Sequence, residues 1–301
     1  MRIPYFDAHC DTLTAVYEHG GGLFENTHMA DFRRLSGFSP CAQVFAVWNG
    51  DYAAKAALLR SECSKHWEHV TFCRSTREVK SANAAGKAAA LLSVEGAENL
   101  ECDIARLREA RERDGIVMLN LCWNHDNAVC GAAMDSGSGL TLHGREFVRE
   151  CQRLGVAVDM SHASECTFYD TLEIAEKPMI ASHSNSAVVC QHPRSLTDNQ
   201  FRSLAASGGG AGVNLCPDFL HEGGADIDDA VRHIEHFLAL GGERAVFLGT
   251  DFDGIDATPR SLTGVQDMDA LYEALLRRNY PEELVRAIFY DNLMEILERT
   301  C

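Results

Sequence analysis

Val156-Ala157-Val158-Asp159-Met160-Ser161-His162 is a short apolar run that closes on a histidine, and Pro178-Met179-Ile180-Ala181-Ser182-His183 soon repeats the pattern. Apolar runs of this length, bounded by polar or turn residues, read as buried strands. Working outward, six more segments fit the same description: Ile3–His9, Cys41–Trp48, Ala88–Glu95, Gly115–Cys122, Gly210–Leu215 and Ala245–Asp251. Longer amphipathic patterns separate most of them, at Tyr52–Glu68, Ile104–Arg113, Gly144–Leu154, Thr197–Ala206 and Asp226–Leu240. Asp267–Arg278 and Pro281–Arg299 follow the last strand. Pro281 ahead of Glu282 and Glu283 is a sound helix start, since proline suits the first turn and acids suit the dipole. Eight strands, mostly separated by helices, predict parallel pairing through right-handed crossovers. The expected fold class is therefore α/β, a (β/α)8 TIM barrel, which needs ~250 residues. The chain has 301, and no linker, low-complexity tract or repeat divides residues 1–301, so they read as one domain. An open doubly wound sheet is the rival that pattern alone leaves standing.

Composition narrows the class of partner. The net charge of −17 leaves no basic field to displace counterions from phosphates, so no nucleic-acid partner is expected. No apolar run of membrane-spanning length exists, and no membrane contact is expected. Met1-Arg2-Ile3-Pro4-Tyr5-Phe6 reaches Asp7-Ala8-His9 without an apolar signal region. Read with twelve scattered cysteines and no CxxC pair, this predicts reduced thiols and a cytoplasmic location.

The chemistry gathers at strand ends. The first strand runs into His9-Cys10-Asp11, the third ends in Glu95, the fifth in His162, the sixth in His183 and the eighth in Asp251. Active sites of such barrels lie at the C-terminal ends of the strands. His9 and Asp11 share one side of an extended segment while Cys10 points away, which makes packing the better role for Cys10. Glu95 closes an apolar strand, where a carboxylate is costly unless it is paired or bound to metal. Gly96 behind it permits a special dihedral. A two-residue period gives Asp251 and Asp253 the same face and does not choose between them. Histidines and carboxylates without a thiolate suit Zn2+ or another borderline divalent ion. They are too many for one ion with an open position. A shared carboxylate bridging two ions ~3.5–4 Å apart would use them all.

These residues resemble the membrane (renal) dipeptidase family, peptidase family M19, within the binuclear amidohydrolase-like barrels. The likeness runs in order through Asp7-Ala8-His9-Cys10-Asp11, Ser93-Val94-Glu95-Gly96, Leu121-Cys122-Trp123-Asn124-His125-Asp126-Asn127, Asp159-Met160-Ser161-His162, Ser182-His183-Ser184, Arg194 and Gly249-Thr250-Asp251-Phe252-Asp253-Gly254. It implies two zinc ions per chain, one on His9 and Asp11, the other on His162 and His183, with Glu95 bridging both. It implies that His125 contacts substrate and steadies the tetrahedral intermediate, and that Asp251, not Asp253, is the acid/base group. It implies that Arg194 grips the substrate carboxylate, for which a guanidinium is well shaped. Without the resemblance His125 would pass for a polar loop residue and Arg194 for a surface one. The implied activity is hydrolysis of small dipeptides, including L-Xaa-D-Xaa, by a metal-bridging hydroxide. The alternative is a binuclear amidohydrolase acting on N-acyl amino acids or other small amides and esters. A homodimer is the assembly the relatives suggest.

Overall fold

The structure of the protein, a computed structural model, describes residues 2–301. Nine strands run β1 (Tyr5–Cys10), β2 (Cys41–Trp48), β3 (Val70–Phe72), β4 (Ala88–Glu95), β5 (Met118–Asn120), β6 (Ala157–Asp159), β7 (Ile180–Ala181), β8 (Gly210–Val213) and β9 (Val246–Leu248). All named pairings are parallel, and the order is β2-β1-β9-β8-β7-β6-β5-β4, with β2 and β4 meeting to close the ring. That closure decides for the (β/α)8 barrel against the open sheet. Each of the eight expected strands is present. β3 was not foreseen: it lies beside Ala88–Ala90 of β4, while β5 pairs with Ser93–Glu95 further along. Three residues are too few to show a period.

The later strands are shorter than the apolar runs that announced them. Ser161, His162, Ser182 and His183 are buried but have left the ladder, because side chains at the barrel mouth stay covered whether or not the backbone pairs. Helices at Thr12–His19, Thr76–Ala84 and Glu165–Ile174 were also not expected. Their starts are polar: Ser75 caps Glu78 and Ser164 caps Thr167 through backbone N–H groups. Among the expected helices, Thr197 with Gln200 and Asp226 with Asp229 form capping boxes. The helix expected over Pro281–Arg299 runs unbroken from Glu282 to Thr300, widened by a π turn at Ala287–Asp291.

That final segment closes the bottom of the barrel. Phe6, Ala8, Ala42, Val44, Ala89, Leu91, Met118, Ala157, Ile180 and Phe247, drawn from seven strands, form one apolar cluster with Leu293, Met294, Ile296 and Leu297. The chain end then meets the starts of other strands, since Arg299 donates to the Gly208 carbonyl and the Cys301 thiol to that of Val117. A larger apolar cluster fills the layer between strands and helices. With the bottom plugged, only the C-terminal mouth is left for a site. No helix among the described residues is long and apolar enough to cross a membrane, and none of the twelve cysteines is in a disulfide.

Candidate metal centre

Five strand ends deliver their side chains to one point above the plugged barrel. His9 comes from β1 and Asp11 from the first residue past it, where the carboxylate makes no helix-cap bond and keeps Oδ1 buried without a partner. Glu95 is the last residue of β4, and Gly96 behind it takes φ 96°, the left-handed dihedral the sequence allowed for. His162 and Asp251 lie three residues beyond β6 and β9, and each is left-handed, at φ 74° and 62°. His183 follows β7 by two residues.

The distances divide the cluster around Glu95. Its Oε2 lies 3.6 Å from His9 Nε2, which is 3.2 Å from Asp11 Oδ2. Its Oε1 lies 2.7 Å from His162 Nε2 and 3.6 Å from His183 Nε2. Asp251 Oδ1 stands 3.8 Å from His9 Nε2. Three overlapping groups bring their ligand atoms within 4.8 Å of one another: His9 with Asp11 and Glu95, Glu95 with His162 and His183, and His9 with His183 and Asp251.

The donors fit a cation. His162 Nδ1 faces Asn124 Oδ1 at 2.9 Å, an acceptor, so the proton sits on Nδ1 and the lone pair on Nε2. His183 Nδ1 meets the Ser182 hydroxyl at 2.7 Å, which can accept in the same way. The two Nε2 atoms then face each other at 3.0 Å with a carboxylate oxygen beside them. Burial and the Arg194 charge push His162 down to about 4, and burial with the His9 charge lowers His183, so neither readily carries a proton between them. A divalent ion resolves that repulsion and suits two imidazoles and a carboxylate.

Burial raises the remaining carboxyls. Asp11 is pushed up to about 6 by burial and then by Glu95. Asp251 is pushed up to about 7 by burial, with His9 opposing and Asp11 and Glu95 adding to the rise. Against its own burial, His9 and His162 hold Glu95 well below the usual carboxylate range.

The structure separates Asp251 from Asp253, which alternation had left equal. Asp251 Oδ2 accepts from Asn214 Nδ2 at 2.8 Å inside the cluster. Asp253 is occupied elsewhere, accepting from the Met29 N–H at 2.7 Å and the Thr12 hydroxyl at 2.5 Å. Cys10 is buried in the apolar layer, as alternation required.

Arg194, which reads as a surface residue in the bare sequence, is only 6% exposed. Its Nε and Nη1 are buried without partners, and its guanidinium lies 5.9 Å over the Phe219 ring. It lines the same cavity of about 610 Å³ as Asp11, Glu95, His162 and Asp251. His125 is the one expected residue brought neither to the ligand cluster nor to this cavity. Its side chain is 77% exposed and stands 3.6 Å from Asp135. The loop is held that way because Asn127 donates to Glu98 and to the Leu121 carbonyl, while Asp126 accepts from the Ala132 N–H. Trp123 and Asn124 occupy the cavity side instead, with Trp123 tilted against Trp48 at 5.0 Å between ring centroids. Sequence reasoning quoted Trp123 and Asn124 within a motif without giving them roles, and missed Trp48 and Asn214.

The chain is similar to known proteins over its whole length. The family model described as membrane dipeptidase, peptidase family M19, matches residues 1–300. A stretch of 224 residues, 71% of this chain, is 34% identical to an uncharacterized dipeptidase of Schizosaccharomyces pombe and covers 54% of it, so the chain spans about half of that relative's length. Among solved structures, the dipeptidase AC, a metallopeptidase of family M19, superposes with a TM-score of 0.88 at 27% identity, over 100% of this chain and 99% of that one. A metallopeptidase from Rhodobacter sphaeroides, liganded with a phosphinate mimic of the dipeptide L-Ala-D-Ala, gives 0.86 at 27% identity over the whole of both chains.

Proposed function

The chain belongs to the membrane dipeptidase family, peptidase family M19, and on that premise we propose that it is a zinc-dependent dipeptidase with two ions per chain. One observation carries the reading: the two oxygens of Glu95 face different histidines, Oε2 toward His9 and Oε1 toward His162 and His183. A carboxylate placed in that way could serve two ions at once. His9 and Asp11 would complete one ion's donors, and His162 with His183 the other's. Bound there, the pair of ions would polarise a carbonyl and acidify a shared water. Their charge would also offset Asp11, Glu95 and Asp251, three carboxylates crowded in one buried cluster.

The chain's own groups divide the remaining work. Arg194 lines the cavity with no acceptor on Nε or Nη1 and would bind a terminal carboxylate, which favours short substrates over long ones. Asp251, poised near neutrality and held by Asn214, takes a proton from the attacking water at Oδ1 and returns it to the departing amine. Hydrolysis thus leaves one free carboxylate and one amine, with Asp251 restored. Trp48 and Trp123 wall the cavity and limit access of bulk water. The mimic bound by the Rhodobacter sphaeroides relative argues for accepting a D-residue at the second position. The test is a panel of dipeptides, with L- and D-residues second, offered to zinc-loaded protein whose metal content has been measured. Turnover with about two zinc ions per chain is expected. Failure on every dipeptide would sink the reading.

A further inference from the structure

Beneath the ligand cluster the barrel holds polar atoms that the proposed chemistry does not use. Register places Glu95, Asn120 and Asp159 side by side on β4, β5 and β6, one layer above Ser93, Met118 and Ala157. Glu95 points into the barrel, since it meets His9, His162 and His183 there. Alternation along β4 then turns Ser93 inward, and pairing across β5 and β6 turns Asp159 inward.

Asp159 is fully buried, and its two oxygens have unequal fates. Oδ1 accepts from the Ser161 N–H at 3.0 Å and the Ser182 N–H at 2.9 Å, fixing the turns that carry His162 and His183. Oδ2 has no partner. Ser93 Oγ and His9 Nδ1 are likewise buried without one. His9 presents Nε2 to the cluster, so Nδ1 must carry the proton and needs an acceptor. Leaving a carboxylate oxygen and an imidazole N–H buried and unpaired is costly.

We propose that Asp159 is a positioning residue for His9, accepting its Nδ1 proton through a water held in the barrel interior and shared with Ser93. Three polar partners are what a buried water commonly finds. Burial raises the Asp159 carboxyl, opposed first by the bonds from Ser182 and Ser161 and least by the His9 charge. The carboxylate fixes the tautomer and raises the basicity of Nε2 toward the ion on His9 and Asp11.

The inference rests on the two-ion reading, and its test separates the two. Zinc affinity of wild type and Asp159→Asn is measured by chelator competition, beside thermal unfolding of the metal-free proteins. Asn keeps Oδ1 for Ser161 and Ser182 and replaces only the inward acceptor with a donor. One of the two ions should bind about 10–100-fold more weakly, with the other little changed. Equal affinity of both proteins for both ions would overturn the proposal. A wild type that binds no zinc would overturn the two-ion reading itself. Should the variant fail to fold, histidine side-chain NMR of zinc-loaded wild type decides. His9 Nδ1 should be protonated and exchange slowly with solvent, whereas an unprotonated or rapidly exchanging Nδ1 refutes the assignment.

Discussion

Replacing Arg194 with Met should move stability and activity in opposite directions. Arg194 is 6% exposed, and two of its guanidinium nitrogens are buried with no acceptor in reach. An unsatisfied buried donor costs about 1–3 kcal/mol, and charge adds to that. Met fills much of the same stem volume without donors, so the zinc-loaded variant should unfold with a free energy about 1–2 kcal/mol higher than wild type. Catalysis should suffer for the same reason. Two charge-assisted bonds to the substrate carboxylate, at about 1.5 kcal/mol each, are worth about 3 kcal/mol, or roughly 150-fold in kcat/KM. The substrate pair that isolates this is a dipeptide and its C-terminal amide. Wild type should prefer the free acid strongly, and Arg194→Met should lose that preference while retaining its rate on the amide. Denaturant titration and the two kcat/KM values are the measurements. Equal losses on acid and amide, or a variant about 2 kcal/mol less stable, would refute the argument that Arg194 is held unpaired for an incoming carboxylate.

Metal removal should change the sign of the pH dependence of stability. Asp251, near 3.9 unfolded and about 7 when folded, contributes stability present at low pH and lost as pH rises through 7. His9, also raised, acts in the same direction. The lowered His162 and His183 cost stability below about 6.5, a cost that is mostly gone at and above it, so they change little between pH 6.5 and 8. Metal-free protein should therefore weaken between pH 6.5 and 8, by about 1 kcal/mol from Asp251 alone. Zinc-loaded protein should strengthen, because binding needs these groups deprotonated; urea titrations at the two pH values check both signs. Lys55→Met removes three bonds of a fully buried ammonium, to Glu18 Oε1 and to the carbonyls of Trp48 and Asn49. A loss of about 2–4 kcal/mol is expected in denaturant titration, together with a raised KM, since Trp48 walls the cavity. His125→Ala should leave kcat/KM within about threefold of wild type, as expected for an exposed side chain outside the cavity; a hundredfold loss would show that the loop brings His125 to the substrate.

The barrel was legible because it repeats. Eight apolar runs with longer amphipathic spacers leave few topologies, and strand ends are where polar residues stand out against apolar ones. Glu95 is the clearest case, a carboxylate closing seven apolar or small residues. Arg194 and His125 were harder for a shared reason. Their burial depends on how loops are tied down, by contacts between segments far apart in the chain, and no local period encodes it. Asn127 reaching Glu98 decides where His125 points, and those two residues are 29 positions apart. Local composition even misleads here, since it marks Arg194 for the surface and makes His125 look as available as His162.

Alternation failed at Asp251 and Asp253 for a reason that also explains the site. The two-residue period assumes extended backbone, but both residues are left-handed, at φ 62° and 67°. His162, at φ 74°, is a third. A non-glycine residue held there costs about 1 kcal/mol or more, and such residues cluster where function requires them. Extended strands continuing upward would carry alternate side chains out of the barrel. A left-handed residue just past the ladder stops the strand and swings its side chain over the barrel axis. Gly96 achieves the same stop behind Glu95 without the steric penalty, since Glu95 itself is still in the strand. Two members of the cluster, His162 and Asp251, are thus delivered by ending strands abruptly, each at the cost of a left-handed backbone.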